Sequence, residues 1–402
     1  MNAQQKKIRR RVIIGLILIL CISYIVYALT EPLTISQPIA RFSFSQSAKP
    51  VSIAWPNYGE SAVSAVGYNL LATHGSQTPL PTASVAKIVT ALAVLKKAPL
   101  VINQSGPIIT LNQTDVDAYN SYLAEDGSVV KVAVGEKISE YQALEAMLMP
   151  SANNIAETLA NWAFGSVDAY NTYANTYVNQ LGMTNTTITD PSGFLPTTVS
   201  TPQDLITLGK AALSNPVITQ IINQKSATIP VQGVINNVNL LLGDKGIVGI
   251  KTGDNDQDLG CFLFAANQVV GSQTIRIVGV IMGGPNLGTT MWDALPLISN
   301  VANSFTNLTV INTDDGIATY TTQWGTQTTA VASRTLSTLV WNGSDTTSSV
   351  TLEKLQVPLA AGSQVGTLSV KNSLTNEVSS IPIILKQPII EPSVFWRLTH
   401  SF

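Results

Sequence analysis

The chain of 402 residues is poor in the residues on which many enzyme sites are built. It has only two histidines, His74 and His400, so an HExxH zinc motif or a His-rich metal centre is excluded. Of the two, only His74 is a candidate for a Ser-His-Asp triad, and it lies in Thr73-His74-Gly75-Ser76, which reads as a turn between two short strands. The two cysteines sit in apolar runs, Cys21 near the N-terminus and Cys261 in Cys261-Phe262-Leu263-Phe264, and supply no disulfide framework. Charge is scarce too: 11% of residues are charged and the formal net charge is −2. A protein that binds nucleic acid must neutralise phosphates, and no basic excess is available to do so.

Apolar residues are abundant, at 45% of the chain. That composition and length predict two or three folded domains with cores of their own. From Val12 to Leu29 no residue is charged, and Lys6, Lys7, Arg9, Arg10 and Arg11 precede the run. A helix of that length nearly spans the hydrocarbon core, and the basic cluster holds the N-terminus inside. The prediction is a cytoplasmic tail at 1–11, a single-pass membrane anchor at 12–29, and all the rest on the extracytoplasmic side. The competing reading is a cleaved signal peptide, for which Val26-Tyr27-Ala28 is a weak cleavage site.

Residues 30–48 are rich in Pro, Ser and Thr and read as a linker. Interleaved helical and strand patterns over 49–304 predict one α/β (α+β) domain. After Ser304 short strand-like runs dominate, at 308–317, 318–324, 335–341, 350–358, 366–370 and 381–385, with Asn342-Gly343 as a hairpin signal. They predict a smaller all-β domain at 305–388. The tail, 389–402, is too short and polar to span a membrane, and reads as a packed strand or short helix or as an interfacial contact.

Three short motifs carry chemistry. Thr82-Ala83-Ser84-Val85-Ala86-Lys87 runs into a helical pattern, so Ser84 and Lys87 share one helix face and the amine can approach the hydroxyl. An amine with a lowered pKa can take the serine proton, an activation that needs no histidine. Ser151-Ala152-Asn153 falls between a helix opened by the capping box Ser139–Gln142 and closed by Pro150, and a second helix beginning near Ile155. A hydroxyl and an amide in that turn either relay a proton and hold a substrate amide, or cap the second helix. Lys251-Thr252-Gly253 sits in an apolar run that suggests an edge strand, where Lys251 offers charge, Thr252 a hydroxyl and Gly253 room for close approach. Each motif is weak alone, but their order, S-x-x-K then S-x-N then K-T-G, is that of the penicillin-interacting serine enzymes.

On these motifs the chain resembles the low-molecular-mass penicillin-binding proteins, specifically the serine-type D-alanyl-D-alanine carboxypeptidases. The likeness extends to Val134-Gly135-Glu136-Lys137, Leu181-Gly182-Met183-Thr184-Asn185-Thr186, Asp190-Pro191-Ser192-Gly193, Ser200-Thr201-Pro202-Gln203-Asp204 and Asn239-Leu240-Leu241-Leu242, and more weakly to 358–367 in the β-rich region. The resemblance implies a β-lactamase/transpeptidase-like catalytic domain acting on peptidoglycan stem pentapeptides, with β-lactams as covalent inhibitors and no metal or organic cofactor. It implies Ser84 as nucleophile, Lys87 as base, Ser151 as proton relay and Asn153 as holder of the acyl amide. Lys251 and Thr252, with Gly253, would take the terminal carboxylate, and the backbone N–H groups of Ser84 and Asp254 would form the oxyanion hole.

Two features depart from the family. Asp254, Asp256 and Asp258 follow Lys-Thr-Gly, where they would repel an anionic substrate end. The stretch 284–292 has no arginine where relatives carry one for the substrate carboxylate, and Arg276 lies earlier. One charge-assisted hydrogen bond is worth roughly 1.5–3 kcal/mol. Two rivals therefore stand beside a carboxypeptidase: a cell-wall-binding protein with little or no turnover, and a serine β-lactamase, which needs a glutamate to activate water. Glu157, on a helix after the S-x-N turn, is in the wrong context for that.

Overall fold

The computed structural model describes residues 3–33, 35, 37–254, 259–375 and 377–400. A helix Ala3–Thr30 leads into the globular part and is exposed along nearly its whole length, apolar side chains included.

The centre of the larger unit is a five-stranded antiparallel sheet, in the order Ile247–Gly253, Gly260–Val270, Gln273–Gly284, Glu60–Ala65, Leu70–His74. Its two long inner strands are apolar over 261–266 and 277–282, where both faces are covered. Cys261, Leu263 and Ala265 point into one core and Phe262, Phe264 and Ala266 into another, as the two-residue repeat of a strand requires. Helix Leu287–Asn303 covers the second face with Met291, Ala294, Leu297, Ile298 and Val301. Helix Pro202–Ser214 lies on the first, where Gly209 lets it approach: a Cβ there would stand 2.9 Å from Val278 Cγ1.

Beyond that helix is a helical lobe that carries half of the site. The helix Lys87–Lys97 is buried over its first nine residues and is surrounded by Glu140–Leu148, Asn153–Phe164 and Val167–Gln180. The Ser139 capping box is present in full, with both reciprocal hydrogen bonds made to Gln142. The α+β architecture read from the sequence is therefore the one observed.

The C-terminal unit is all-β. Seven strands form one sheet, of which Gly316–Thr321, Gln327–Ala332, Val378–Leu385, Gln364–Asn372 and Thr346–Leu352 are the body. Its two outer strands are Ile39–Ala40 and Ser45–Gln46. The segment expected as a linker is thus tied to both edges of the sheet, where unpaired backbone groups would otherwise face water. Asn342-Gly343 also differs from expectation. It turns the chain, but the flanking strands do not pair with each other: Leu336–Trp341 pairs with Phe305–Ile311 and Thr346–Leu352 with Gln364–Asn372. Trp341 explains the switch, since its buried ring packs edge-on against Phe305 in the core under helix Leu287–Asn303. The tail forms a short helix, Val394–His400, lying against the end of the N-terminal helix.

Candidate active site

The site lies where the helical lobe meets the free edge of the central sheet. A short 3-10 turn, Ala83–Ala86, precedes the helix Lys87–Lys97, and Ser84 stands in it, half-buried. The first N–H groups of such a turn have no acceptor within it, which leaves the backbone at Ser84 available to an anion. Ala83 holds φ +44°, a conformation costly for a residue with a side chain and the kind of local strain that gathers at functional sites.

Lys87 is wholly buried, yet its amine meets three oxygens: Ser84 Oγ at 2.7 Å, Asn153 Oδ1 at 2.7 Å and the Ser192 carbonyl at 2.9 Å. Burial pushes its pKa well below the ordinary lysine range, the nearby charge of Lys251 adds to this, and Asp190 opposes it. The neutral amine is thereby favoured.

Ser151 and Asn153 lie on either side of a helix start. The N-cap of helix Asn153–Phe164 is Ala152, with no side-chain cap, so neither polar side chain is used as the cap that was the alternative reading. Ser151 adopts φ +69°, and its hydroxyl accepts a 3.0 Å hydrogen bond from the Lys251 amine. Gly127 makes room for Asn153: a Cβ there would lie 2.9 Å from the Asn153 amide nitrogen. Lys251 is fully buried, donates also to the Thr252 carbonyl at 2.9 Å, and burial brings its pKa down to about 7.

The strand Ile247–Gly253 is at the edge of the sheet, as expected from its sequence. At its end Gly253 comes up against the nucleophile turn, where a Cβ would be 2.9 Å from the Thr82 carbonyl and 3.2 Å from Ser84 N. Ser84, Lys87, Ser151, Asn153, Lys251 and Gly253 are thus joined by direct contacts, and Thr252 lies between Lys251 and Gly253. Asp254 follows; Asp256 and Asp258 lie outside the described residues. Arg276 is no substitute for the missing arginine. It pairs across the sheet with Asn267, bonds that side chain at 2.8 Å, and lines a polar cleft of about 630 Å³ between the two units, with Glu377 and Asn372. His74 stacks on Trp55 at 5.7 Å and takes no part in the site.

Sequence reasoning assigned no role to the turn Asp190-Pro191-Ser192-Gly193, which supplies the third partner of Lys87. Its contribution is a backbone carbonyl, which no residue type announces.

A serine whose hydroxyl is contacted by a buried lysine, beside a second lysine–serine pair on a sheet edge, defines the class of serine proteins that interact with penicillins. The chain belongs to the D-alanyl-D-alanine carboxypeptidase family, whose model matches residues 63–286. It is similar to the D-alanyl-D-alanine carboxypeptidase DacB2 of Mycobacterium tuberculosis, at 31% identity over 56% of this chain and 74% of that one. Similarity to the D-alanyl-D-alanine carboxypeptidase DacC of Escherichia coli is 24% over 82% of this chain and 83% of that one. The fold is that of penicillin binding protein 5 from Haemophilus influenzae, with a TM-score of 0.59 at 20% identity over 86% of this chain and all of the other.

Proposed function

We propose that the chain is a serine-type D-Ala-D-Ala carboxypeptidase that trims peptidoglycan stem pentapeptides through an acyl-enzyme on Ser84. The observation that carries this is the Lys87 amine, buried and in contact with both Ser84 Oγ and Asn153 Oδ1. A neutral lysine has two N–H donors and one lone pair. Asn153 Oδ1 and the Ser192 carbonyl take the donors, which turns the lone pair to the Ser84 hydroxyl.

Ser84 Oγ then attacks the carbonyl carbon of the penultimate D-alanine while its proton passes to Lys87 Nζ. The oxyanion is met by the N–H groups of Ser84 and Asp254. As the peptide C–N bond breaks, Ser151, held by the Lys251 amine, passes its proton to the leaving D-alanine amine and takes up the one on Lys87, which returns to the neutral amine. Water then attacks the ester and gives a proton to Lys87, which passes it to Ser84 Oγ as the ester C–O bond breaks, and the shortened peptide leaves as its acid. Asn153 holds the acyl amide, and an extended peptide lies along the free edge of strand Ile247–Gly253. Lys251 and Thr252 take the terminal carboxylate without help from an arginine at 284–292. β-Lactams acylate the same serine.

A fluorescent penicillin is expected to label Ser84 covalently, and the protein to release D-alanine from a muramyl pentapeptide. Labelling without release would favour a binding protein of the same fold, for which the missing arginine speaks. Rapid turnover of the penicillin would favour a β-lactamase. Labelling of Ser84→Ala at the parent's rate would sink the nucleophile assignment.

The N-terminal helix, in the same reading, is retained as a single-pass anchor with the globular part outside. Its end is built into the fold. Arg397 is buried and donates to the carbonyls of Leu29 and Glu31, each at 3.1 Å, and Glu391 pairs with it at 3.4 Å. A cation there satisfies helix-end carbonyls that have no partner of their own. Tyr24 donates to the Leu398 carbonyl at 2.6 Å. Cleavage after Ala28 would discard Tyr24 and sever the chain beside these contacts. The protein recovered from membranes is therefore expected to have the mass of a chain that includes residues 12–28, and a mature chain starting at Leu29 would refute retention.

A further inference from the structure

The turn that follows Thr189 touches the site at three points. The Ser192 carbonyl meets the Lys87 amine. Gly193, at φ +72°, lies flat against the Ala83 carbonyl just before the nucleophile, so close that a Cβ would overlap it. The Pro191 carbonyl accepts from Thr90 Oγ1 at 2.6 Å, one helical turn beyond Lys87. The turn therefore rests on both the base and the segment that sets the nucleophile.

Its shape is set by one carboxylate. Asp190 is buried and accepts hydrogen bonds at Oδ2 from Ser192 N (3.1 Å), Ser192 Oγ (2.7 Å) and Phe194 N (3.0 Å), and at Oδ1 from Thr198 Oγ1 (2.6 Å). An ionised carboxylate has only acceptor sites, about four of them, and four donors converge on this one. Thr198 also fixes the far end of the loop, since its carbonyl accepts from Thr82 N at 3.0 Å.

We propose that Asp190 is a positioning residue for acyl transfer: its carboxylate fixes the turn so that the Ser192 carbonyl aims the Lys87 amine at the Ser84 hydroxyl. The proposal rests on the acyl-transfer reading above. It follows from the count of donors on a neutral amine. With Ser192 O displaced, one N–H of Lys87 has no partner, and the lone pair is free to turn from Ser84. Asp190 does not touch the reacting atoms, but its charge is near enough to favour the ammonium form of Lys87. The other charged or titratable groups around this position are Lys251 from the sheet edge, Tyr170, whose hydroxyl lies 2.7 Å from Thr90 Oγ1, and Tyr122, which donates to Glu157 at 3.1 Å.

Asp190→Asn keeps the size of the side chain and removes the charge and one acceptor atom. Measured on the full chain as the second-order rate of Ser84 labelling by a fluorescent penicillin between pH 5 and 9, it should be about tenfold slower on the plateau. Its acid limb should move to lower pH, because loss of the negative charge lets Lys87 give up its proton more readily. A slower variant with an unmoved limb would reduce Asp190 to a purely structural role, and parent-like rates throughout would refute any role; either overturns the proposal. Should Asp190→Asn fail to fold, Ser192→Ala removes one of the four donors while keeping the charge and the carbonyl. It is expected to slow labelling about threefold with the limb in place, and an unchanged rate overturns the proposal. A parent chain that takes no label at all would instead bring down the acyl-transfer reading, and this proposal with it.

Discussion

Lys87→Ala is expected to lower the rate of Ser84 acylation by a penicillin by about three to four orders of magnitude, toward the upper end of what a positioned general base contributes. Serine alone is a weak nucleophile, and the described residues hydrogen-bonded to its hydroxyl offer no other base than this amine. Neither histidine is in reach: His74 is stacked on Trp55, and His400 lies on the C-terminal helix against Trp396. Lys251 is committed to Ser151 and the Thr252 carbonyl, so it cannot take over without breaking those bonds. Single-turnover labelling followed by mass spectrometry measures the effect. A loss of less than tenfold would mean that the proton leaves Ser84 by another route. Lys87→Arg should not rescue, since a guanidinium stays protonated and has no lone pair to offer.

How much of this was legible in the sequence follows the physics of each part. The capping box at Ser139 and the edge strand ending in Gly253 are dictated by local chemistry, and they stand as expected. So does the approach of Lys87 to Ser84, because a helix brings residues three apart onto one face. The pairing of distant partners is not local. Asn342-Gly343 has the composition of a hairpin, yet Trp341 belongs to a different core from Leu352, and burial of the indole decides the pairing. Residues 39–40 and 45–46 are too few to give a periodic signal; they are strands because a sheet edge is waiting for them. Asp190 reads as an ordinary turn residue before proline. Only the fold reveals that four donors meet its carboxylate and that the next carbonyl but one faces Lys87. Arg397 is equally silent in the sequence, since its partners are the carbonyls at the end of a helix at the other terminus of the chain.

The two buried lysines also predict a bell-shaped pH dependence whose falling side belongs to Lys251. Both are driven toward neutrality by burial, and the charge of Lys251 presses further on Lys87. As pH rises, Lys251 gives up its proton at about 7 in the free protein. In the proposed mechanism acyl transfer runs in the form with Lys87 neutral to take the Ser84 proton and Lys251 charged to hold the peptide carboxylate while it donates a hydrogen bond to Ser151. Below the window the base is blocked; above it the carboxylate loses its cation, with no arginine at 284–292 to compensate. For a D-alanyl-D-alanine peptide, kcat/KM, which reports the free protein, should rise with pH and then fall about tenfold per unit beyond the Lys251 titration. Bound substrate places an anion beside Lys251 and raises its pKa, so the falling limb of kcat should lie at higher pH than that of kcat/KM. Lys251→Met should be slow at all pH values and should lack the falling limb. A kcat/KM that stays level from pH 6 to 9 in the parent, or a limb that survives in Lys251→Met, would remove Lys251 from carboxylate binding and leave the site without a cation for the substrate's end.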